Sequence, residues 1–326
     1  MPASWALPLA VLGGLAAALL FGAALTESFG GYILFWMAPL PLFVTGLRLG
    51  PRAVGIAGLV GTAALAPRDA DFALFFAMVV GLPVTLLAGL AVTQPRERAG
   101  GRLLIALTGF GLMAFVIAYL VALGAEGGLR GQAVAVFTDV QPQLQELIDQ
   151  SKVLIEPIKT LLDKIIPGLI EIPDLPGNWA LTMGTRMPGG IVAIWMMVLA
   201  GNGILAEGAL GTFGGGLVPP PKMASISLPR VLSLALGAAL LAAYVGTGEV
   251  AFIGISLAEM LVVPLLFGGL GVIHALLARH PARMVLLAVF YAVVFGLTIS
   301  LVVALGVIEQ WVGLRRRFAA PGRGEE

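Results

Sequence analysis

The chain has 326 residues, of which 59% are hydrophobic and 11% are charged, and its formal net charge at pH 7 is +1. An average soluble domain carries about 25% charged residues, so this composition leaves too few polar side chains to cover a water-soluble fold. Nucleic-acid binding needs a concentrated basic face, for which a net charge of +1 gives no support. The sequence has no cysteine, which excludes disulfides, thiolate metal sites and cysteine nucleophiles.

Long apolar runs separated by short charged breaks recur between Trp5 and Trp311. A helix needs about 20 apolar residues to cross a hydrocarbon core, and lipid offers no partners for unpaired backbone groups. The runs therefore predict an all-α polytopic transmembrane bundle of eight or nine helices. The predicted crossings are 6–25, 29–47, 53–66, 70–93, 103–124, 187–206, 230–247, 250–277 and 284–307.

The first run, Leu7 to Leu25, is preceded by no Lys or Arg, because the first basic residue is Arg48. A secretory signal would carry a positive segment there, so we expect a retained helix. Several later runs contain prolines, which membrane helices tolerate where neighbouring helices satisfy the freed carbonyls. These prolines are Pro39, Pro41, Pro83 and Pro264.

Basic residues follow the even-numbered runs, at Arg48, Arg52, Arg96, Arg98, Arg102, Lys222, Arg230, Arg279 and Arg283. Because cytoplasmic loops are enriched in Lys and Arg, we expect the N-terminus to lie in the cytoplasm. Nine full crossings would place Arg315–Arg317 outside, against the same rule. Either one run is not a full crossing, with 53–66 the leading suspect, or the tail is an exception.

The polar segment 125–186 separates N-terminal transmembrane helices (1–124) from C-terminal transmembrane helices and a basic tail (187–326). Its apolar residues recur at three- and four-residue steps, the pattern of an amphipathic helix. We predict two amphipathic helices on the outer side, divided after Glu156 by Pro157, that form either a structural lid or a gate. The stripe consists of Phe137, Val140, Leu144, Leu147, Leu154, Ile158, Leu161 and Ile165.

The first run carries a ladder of small residues four apart: Ala10, Gly14, Ala18 and Gly22. Small side chains let helix backbones approach closely in lipid, so we expect this face to dock against another helix. That helix belongs either to this chain or to a membrane protein partner.

Ionisable and polar groups inside apolar runs are costly and often functional. Glu259 lies in the middle of the eighth run, and His274 follows it by fifteen residues, within about 60° on the same helix. Asn202 and Glu207 end the sixth run beside two glycines. We take these four residues as candidates for a solute or proton site, with interhelical hydrogen bonding as the structural alternative.

No set of residues in the sequence resembles an enzyme site. Two histidines, His274 and His280, are too few for a metal cluster, and no glycine-rich phosphate loop with Lys and Ser/Thr is present. We therefore predict a non-enzymatic protein with no cofactor.

The segment Phe35-Trp36-Met37-Ala38-Pro39-Leu40-Pro41-Leu42 and the following Gly46-Leu47-Arg48-Leu49-Gly50 resemble YybS-like proteins, predicted bacterial inner-membrane proteins of unknown function. Further similar stretches are 228–230, 269–274 and 311–317. That family resembles, distantly, the substrate-binding subunits of energy-coupling-factor vitamin transporters. In those subunits a small-residue ladder on the first helix docks on the coupling subunit. This chain differs by having more crossings and the 125–186 insertion.

The leading hypothesis is therefore solute binding or transport, with a solute near Pro39–Pro41, Glu259 and His274. A partner ATPase module or an ion gradient would then supply the energy. The alternative is a membrane scaffold or assembly protein with no transported substrate.

Overall fold

The computed structural model describes residues 5–26, 28–94, 96–162, 175–218 and 223–319. These residues form helices joined by short turns and contain no strand, which confirms the predicted all-α class. Two π turns, Ala77–Gly81 and Phe290–Val294, join α5 to α6 and α12 to α13. The α-helices are α1 (Ala6–Gly22), α2 (Phe29–Trp36), α3 (Pro39–Leu49), α4 (Pro51–Leu65), α5 (Ala70–Phe76), α6 (Leu82–Thr93), α7 (Arg96–Ala122), α8 (Gly128–Leu162), α9 (Trp179–Phe213), α10 (Val231–Val245), α11 (Glu249–Leu276), α12 (Arg283–Val289), α13 (Phe295–Val312) and α14 (Leu314–Ala319).

Within the described residues, six helical segments are long and apolar enough to cross a membrane. The runs predicted at 53–66 and 230–247 form shorter apolar helices, α4 and α10, of 15 residues each. The predicted polytopic helical bundle is confirmed. The six segments are Ala6–Thr26, Phe29–Leu49, Ala70–Thr93, Ala99–Ala122, Trp179–Phe213 and Glu249–Leu276.

The chain divides into two compact units. Unit 1 comprises Met1–Leu112, Ala193–Gly237 and Met260–Glu326, and unit 2 comprises Met113–Val192 and Ala238–Glu259. Helices α7, α9, α10 and α11 contribute residues to both units. The predicted boundaries around 125–186 stay a prediction.

Pro83 interrupts the backbone hydrogen bonding between α5 and α6 in unit 1, and a side chain of another helix replaces the missing donor. Pro83 has no backbone N–H, so it cannot donate to the carbonyl of Val79 four residues earlier. The indole Nε1 of Trp195 on α9 donates to that carbonyl instead, at 2.8 Å. The expectation that a neighbouring helix satisfies a freed carbonyl is confirmed at this proline.

The second predicted run contains a similar break, between α2 and α3. The chain turns at Met37 and Ala38 before Pro39 begins α3. The carbonyl of Trp36 accepts a hydrogen bond of 2.9 Å from Asn202 Nδ2 on α9. The second predicted run therefore forms two helices, α2 and α3, and Asn202 of α9 hydrogen-bonds the end of α2.

Several of the arginine-containing loops of unit 1 meet at one end, which we call the basic end. There α3 ends, α7 and α10 begin, and the segment after α9 contacts them. Leu217 N donates to the Leu47 carbonyl at 2.9 Å, and Gly101 packs closely on the backbone of Ser227. The start of α4 at Pro51 lies at the same end, because α4 follows α3 after the single residue Gly50.

The C-terminal tail also lies at the basic end. Trp311 Nε1 donates to Ser233 Oγ in the first turn of α10 at 3.0 Å, and Tyr291 Oη lies 2.9 Å from His274 Nε2 near the end of α11. The last long helical segment therefore contacts α11 through Tyr291 and the start of α10 through Trp311. Arg315 Nη1 then donates to the Ala224 carbonyl at 2.9 Å.

The basic tail therefore lies at the basic end, whereas nine full crossings would place it at the opposite end. The two explanations for this conflict, a miscounted crossing such as 53–66 or an exceptional tail, stay predictions. Helix α4 runs alongside α1 in the same direction, because Gly14 meets Ala57 and Gly22 meets Leu65.

Unit 2 contains the long helix α8. The predicted division after Glu156 is wrong, because α8 continues through both Pro142 and Pro157 to Leu162. None of its described side chains is buried, so neighbouring elements do not enclose the helix around either proline. Phe137 of α8 packs edge-on against Trp179, with ring centroids 5.6 Å apart. The end of the predicted stripe, at Ile165, lies outside the described residues.

Candidate functional site

An apolar cavity of about 280 Å³ lies within unit 1. Helix α3 lines it through Phe43 and Leu47, α7 through Leu104 and Leu107, and α11 through Phe267. Side chains of α6 and α9 and of the segment before α10 complete the wall. The cavity is therefore formed by several of the helices that gather at the basic end.

Glu207 of α9 is the one ionisable residue that lines this cavity. It is half-buried, and no hydrogen bond or ion pair joins it to another described residue. A carboxylate without a partner is costly in apolar surroundings, so a cation or a hydrogen-bond donor entering the cavity would be attracted to it. The Phe43 ring lies next to Gly203, one turn earlier, where a Cβ would make an ordinary contact of 3.6 Å with the ring.

Asn202 is buried, and its side chain contacts other residues than those around Glu207. Its Nδ2 donates to the carbonyls of Trp36 and Val198, both at 2.9 Å. Five helical residues separate Asn202 from Glu207, so the two side chains leave α9 about 140° apart. Asn202 therefore joins α9 to the break between α2 and α3, although its Oδ1 has no partner among the described residues.

Glu259 does not line this cavity; it belongs to unit 2 and packs against α9. A Cβ on Gly189 would lie 2.7 Å from Glu259 Oε2 and would also clash with the backbone of Ser256. The absence of a side chain at Gly189 thus allows close contact with this part of α11. Glu259 Oε2 and Ser256 Oγ are buried without a hydrogen-bond partner among the described residues, and Arg186 attracts the carboxylate electrostatically.

His274 belongs to unit 1 and also lies outside the lining of the apolar cavity. Its Nε2 is hydrogen-bonded to Tyr291 Oη at 2.9 Å. The structure therefore assigns His274 a contact with the last long helical segment. The prediction that Glu259 and His274 line one cavity stays a prediction.

The small-residue ladder on α1 faces α4 of the same chain. Ala10 and Ala18 are buried, and a Cβ on Gly14 would clash with the carbonyl of Ala57. Gly22 is farther from α4 and is partly exposed. Four leucines of α1 are exposed: Leu7, Leu12, Leu15 and Leu19.

Sequence reasoning missed a polar group at the C-terminal end of α13. Arg315 Nε forms a 2.8 Å ion pair with Glu309 Oε1, and its backbone N–H donates to Glu309 Oε2 at 3.1 Å. The side chains are only 17% and 10% exposed, respectively. A signal was present: Glu309 and Gln310 are adjacent polar residues just after the last apolar run, and Gly313, with φ +65°, lets the chain turn.

Comparison with known families matches residues 15–309 of the chain to a family described as "Predicted membrane protein (DUF2232)". Neither the comparison with curated proteins nor the comparison with solved structures found a match. The family match spans almost the whole helical bundle described above. This chain, a membrane protein with several apolar helices, belongs to the DUF2232 family of predicted membrane proteins.

Proposed function

We propose that this membrane protein binds a small, largely apolar solute in the Glu207 cavity as a step in transporting it. The observation that carries the proposal is the cavity of about 280 Å³, walled by apolar side chains and lined by one carboxylate. Small-molecule sites are typically apolar clefts of roughly 300–1,000 Å³ with a few polar groups that orient the ligand. A cavity at the lower limit of that range suits a small solute.

Glu207 defines the chemical class of that solute. Its carboxylate would pair with an amine or another strong hydrogen-bond donor, because a charge-assisted hydrogen bond is roughly twice as strong as a neutral one. The Leu and Phe side chains around it would bury the apolar body of the solute. The expected ligand is therefore a compact apolar molecule with one cationic or donor group.

The resemblance to YybS-like proteins and, distantly, to the substrate-binding subunits of vitamin transporters supports a binding role. The sequence has no phosphate-binding loop, so a partner ATPase module or an ion gradient would supply the energy. A membrane protein partner at the first helix would meet the exposed leucines of α1, because α4 covers the small-residue ladder. The proposal assigns the chain no catalytic role and no cofactor.

The proposal places the protein in the bacterial inner membrane with the basic end in the cytoplasm. The positive-inside rule supports this orientation, because Arg48, Arg102, Arg230 and Arg315 all lie at that end. The N-terminus would then be cytoplasmic as well, since α1 runs parallel to α4.

The test is ligand-dependent thermal stabilisation of the detergent-purified protein. Compact apolar amines are compared with neutral compounds of the same shape, and vitamins, metals and nucleosides are included as further probes. The variant Glu207→Gln keeps the side-chain size and should abolish stabilisation by amines. Glu249→Gln, at an exposed position at the start of α11, is the matched control and should behave as the wild type.

No stabilisation by any compound, together with unchanged uptake in a deletion strain, would refute solute transport. Equal stabilisation of the wild type and Glu207→Gln by an amine would show binding elsewhere and would refute the Glu207 site.

A scaffold or assembly role is the second candidate, and the packing of Glu259 favours it. A transport pathway along α11 would expose this carboxylate to a cavity, whereas Glu259 is packed against Gly189. The exposed helix α8 would then hold a partner. Crosslinking from α8 and from the exposed leucines of α1 distinguishes the roles: a coupling subunit favours transport, and an envelope-biogenesis partner favours scaffolding.

A further inference from the structure

A second cavity, of about 400 Å³, lies in unit 1 at the basic end and does not belong to the proposed solute site. The segment 224–228 forms one side, and the end of α13 with the turn at Gly313 forms the other. Gly268 and Gly306 line it without side chains. The space thus adjoins polar groups and exposed backbone rather than a wall of leucines.

Gln310 lines this cavity with a side-chain amide that makes no hydrogen bond to another described residue. Its Nε2 and Oε1 are both buried, and neither has a hydrogen-bond partner among the described residues. Buried amides are normally paired, and an unpaired one calls for an explanation. A bound molecule that accepts a hydrogen bond from Nε2 would explain why the amide has no partner in the protein.

The charge around the cavity is positive. Glu309, the acidic residue in its lining, is already paired with Arg315. Arg316 also lines the cavity, packs over Gly313 and has no ion-pair partner among the described residues. A guanidinium beside a free amide donor is a suitable combination for a phosphate group, which accepts several hydrogen bonds at once.

The position favours a phosphate carried at a membrane surface. Arg230 lies nearby, with its Nε donating to the Gln310 carbonyl at 3.0 Å and its guanidinium 5.2 Å from the centre of the Trp311 ring. Trp side chains are enriched at the level of lipid headgroups. Arginine clusters at the cytoplasmic surface attract anionic lipids.

We propose that this cavity binds a phosphate group through Arg316 and Gln310. An anionic phospholipid headgroup and free inorganic phosphate share this chemistry, and the test distinguishes them. Ile226 lines both cavities, but Arg316 and Gln310 line only this one, so the phosphate site can be present whether or not the solute proposal is correct.

The experiment compares thermal stability in nanodiscs of phosphatidylglycerol and of phosphatidylcholine, and in detergent with and without inorganic phosphate. Native mass spectrometry counts the bound lipids. Arg316→Gln and Gln310→Leu should each weaken phosphatidylglycerol binding by about 10-fold or more, the value of one hydrogen bond to a charged group. Arg317→Gln is the control, since Arg317 is exposed and does not line the cavity.

Selective stabilisation by phosphatidylglycerol that is lost in Arg316→Gln and kept in Arg317→Gln supports a headgroup site. Stabilisation by inorganic phosphate with the same dependence on the variants supports a site for soluble phosphate. Equal behaviour of Arg316→Gln and Arg317→Gln with every probe overturns the proposal. If Gln310→Leu destabilises the fold, Arg316→Gln still tests the site independently, because Arg316 is exposed.

Discussion

Replacing Trp195 by Phe should measure the contribution of one interhelical hydrogen bond. Phe keeps an aromatic ring at the site, where the Trp195 and Phe35 ring centroids are 5.7 Å apart, but removes the Nε1–H that donates to the Val79 carbonyl. Interhelical hydrogen bonds in membrane proteins contribute about 0.6 kcal/mol on average and up to roughly 1.7 kcal/mol. We expect Trp195→Phe to lower the free energy of unfolding by about 1 kcal/mol, because Pro83 offers no replacement donor.

The double-mutant cycle with Pro83→Ala tests this reasoning. Alanine restores a backbone N–H four residues after Val79, so Trp195→Phe should cost close to nothing in that background. Equilibrium unfolding in detergent micelles measures all four proteins, and Trp5→Phe, at an exposed position, is the control. If Trp195→Phe costs the same in the wild type and in the Pro83→Ala background, the indole does not substitute for the missing donor and the explanation is wrong.

Two further substitutions test the packing of α1 and the fold-back of the tail. Gly14→Ala should lower the free energy of unfolding by roughly 1–3 kcal/mol because its Cβ meets the Ala57 carbonyl, whereas Gly109→Ala, with nothing within 4 Å, should be neutral or stabilising in thermal unfolding. Equal effects would contradict the close contact of α1 with α4. Glu309→Ala leaves Arg315 unpaired and should destabilise by about 3 kcal/mol, the lower part of the range for a buried pair. Faster tryptic cleavage after Arg315 should accompany this loss, and an unchanged cleavage rate would show that the ion pair does not hold the tail.

At the tail, the distribution of arginines and the tertiary contacts give different kinds of information about the chain. The arginine count predicted which loops share one side of the membrane, and it conflicted with nine full crossings. The contacts of Trp311 with Ser233 and of Arg315 with Ala224 place the end of the chain at the basic end. Hydropathy measures whether a segment is apolar enough for lipid, and it does not measure how far a helix travels through the bilayer.

Helix α8 shows a limit of local rules. Pro157 removes a backbone hydrogen bond wherever it stands, so the sequence favoured two helices. Whether the helix then ends depends on the surroundings of the freed carbonyl, and α8 has no buried side chain among its described residues.

The amino-acid sequence by itself determined the membrane class, the helical architecture, the small-residue face of α1 and the short polar set that includes Glu207 and Glu259. These follow from composition and from spacing along one helix, which are local properties. Only the tertiary structure decided that α4 covers the ladder, that Glu207 lines a cavity while Glu259 packs on Gly189, and that Gln310 and Arg316 meet at a second cavity. Those outcomes depend on which distant segments face each other, and periodicity within a single helix does not encode the identity of its neighbour.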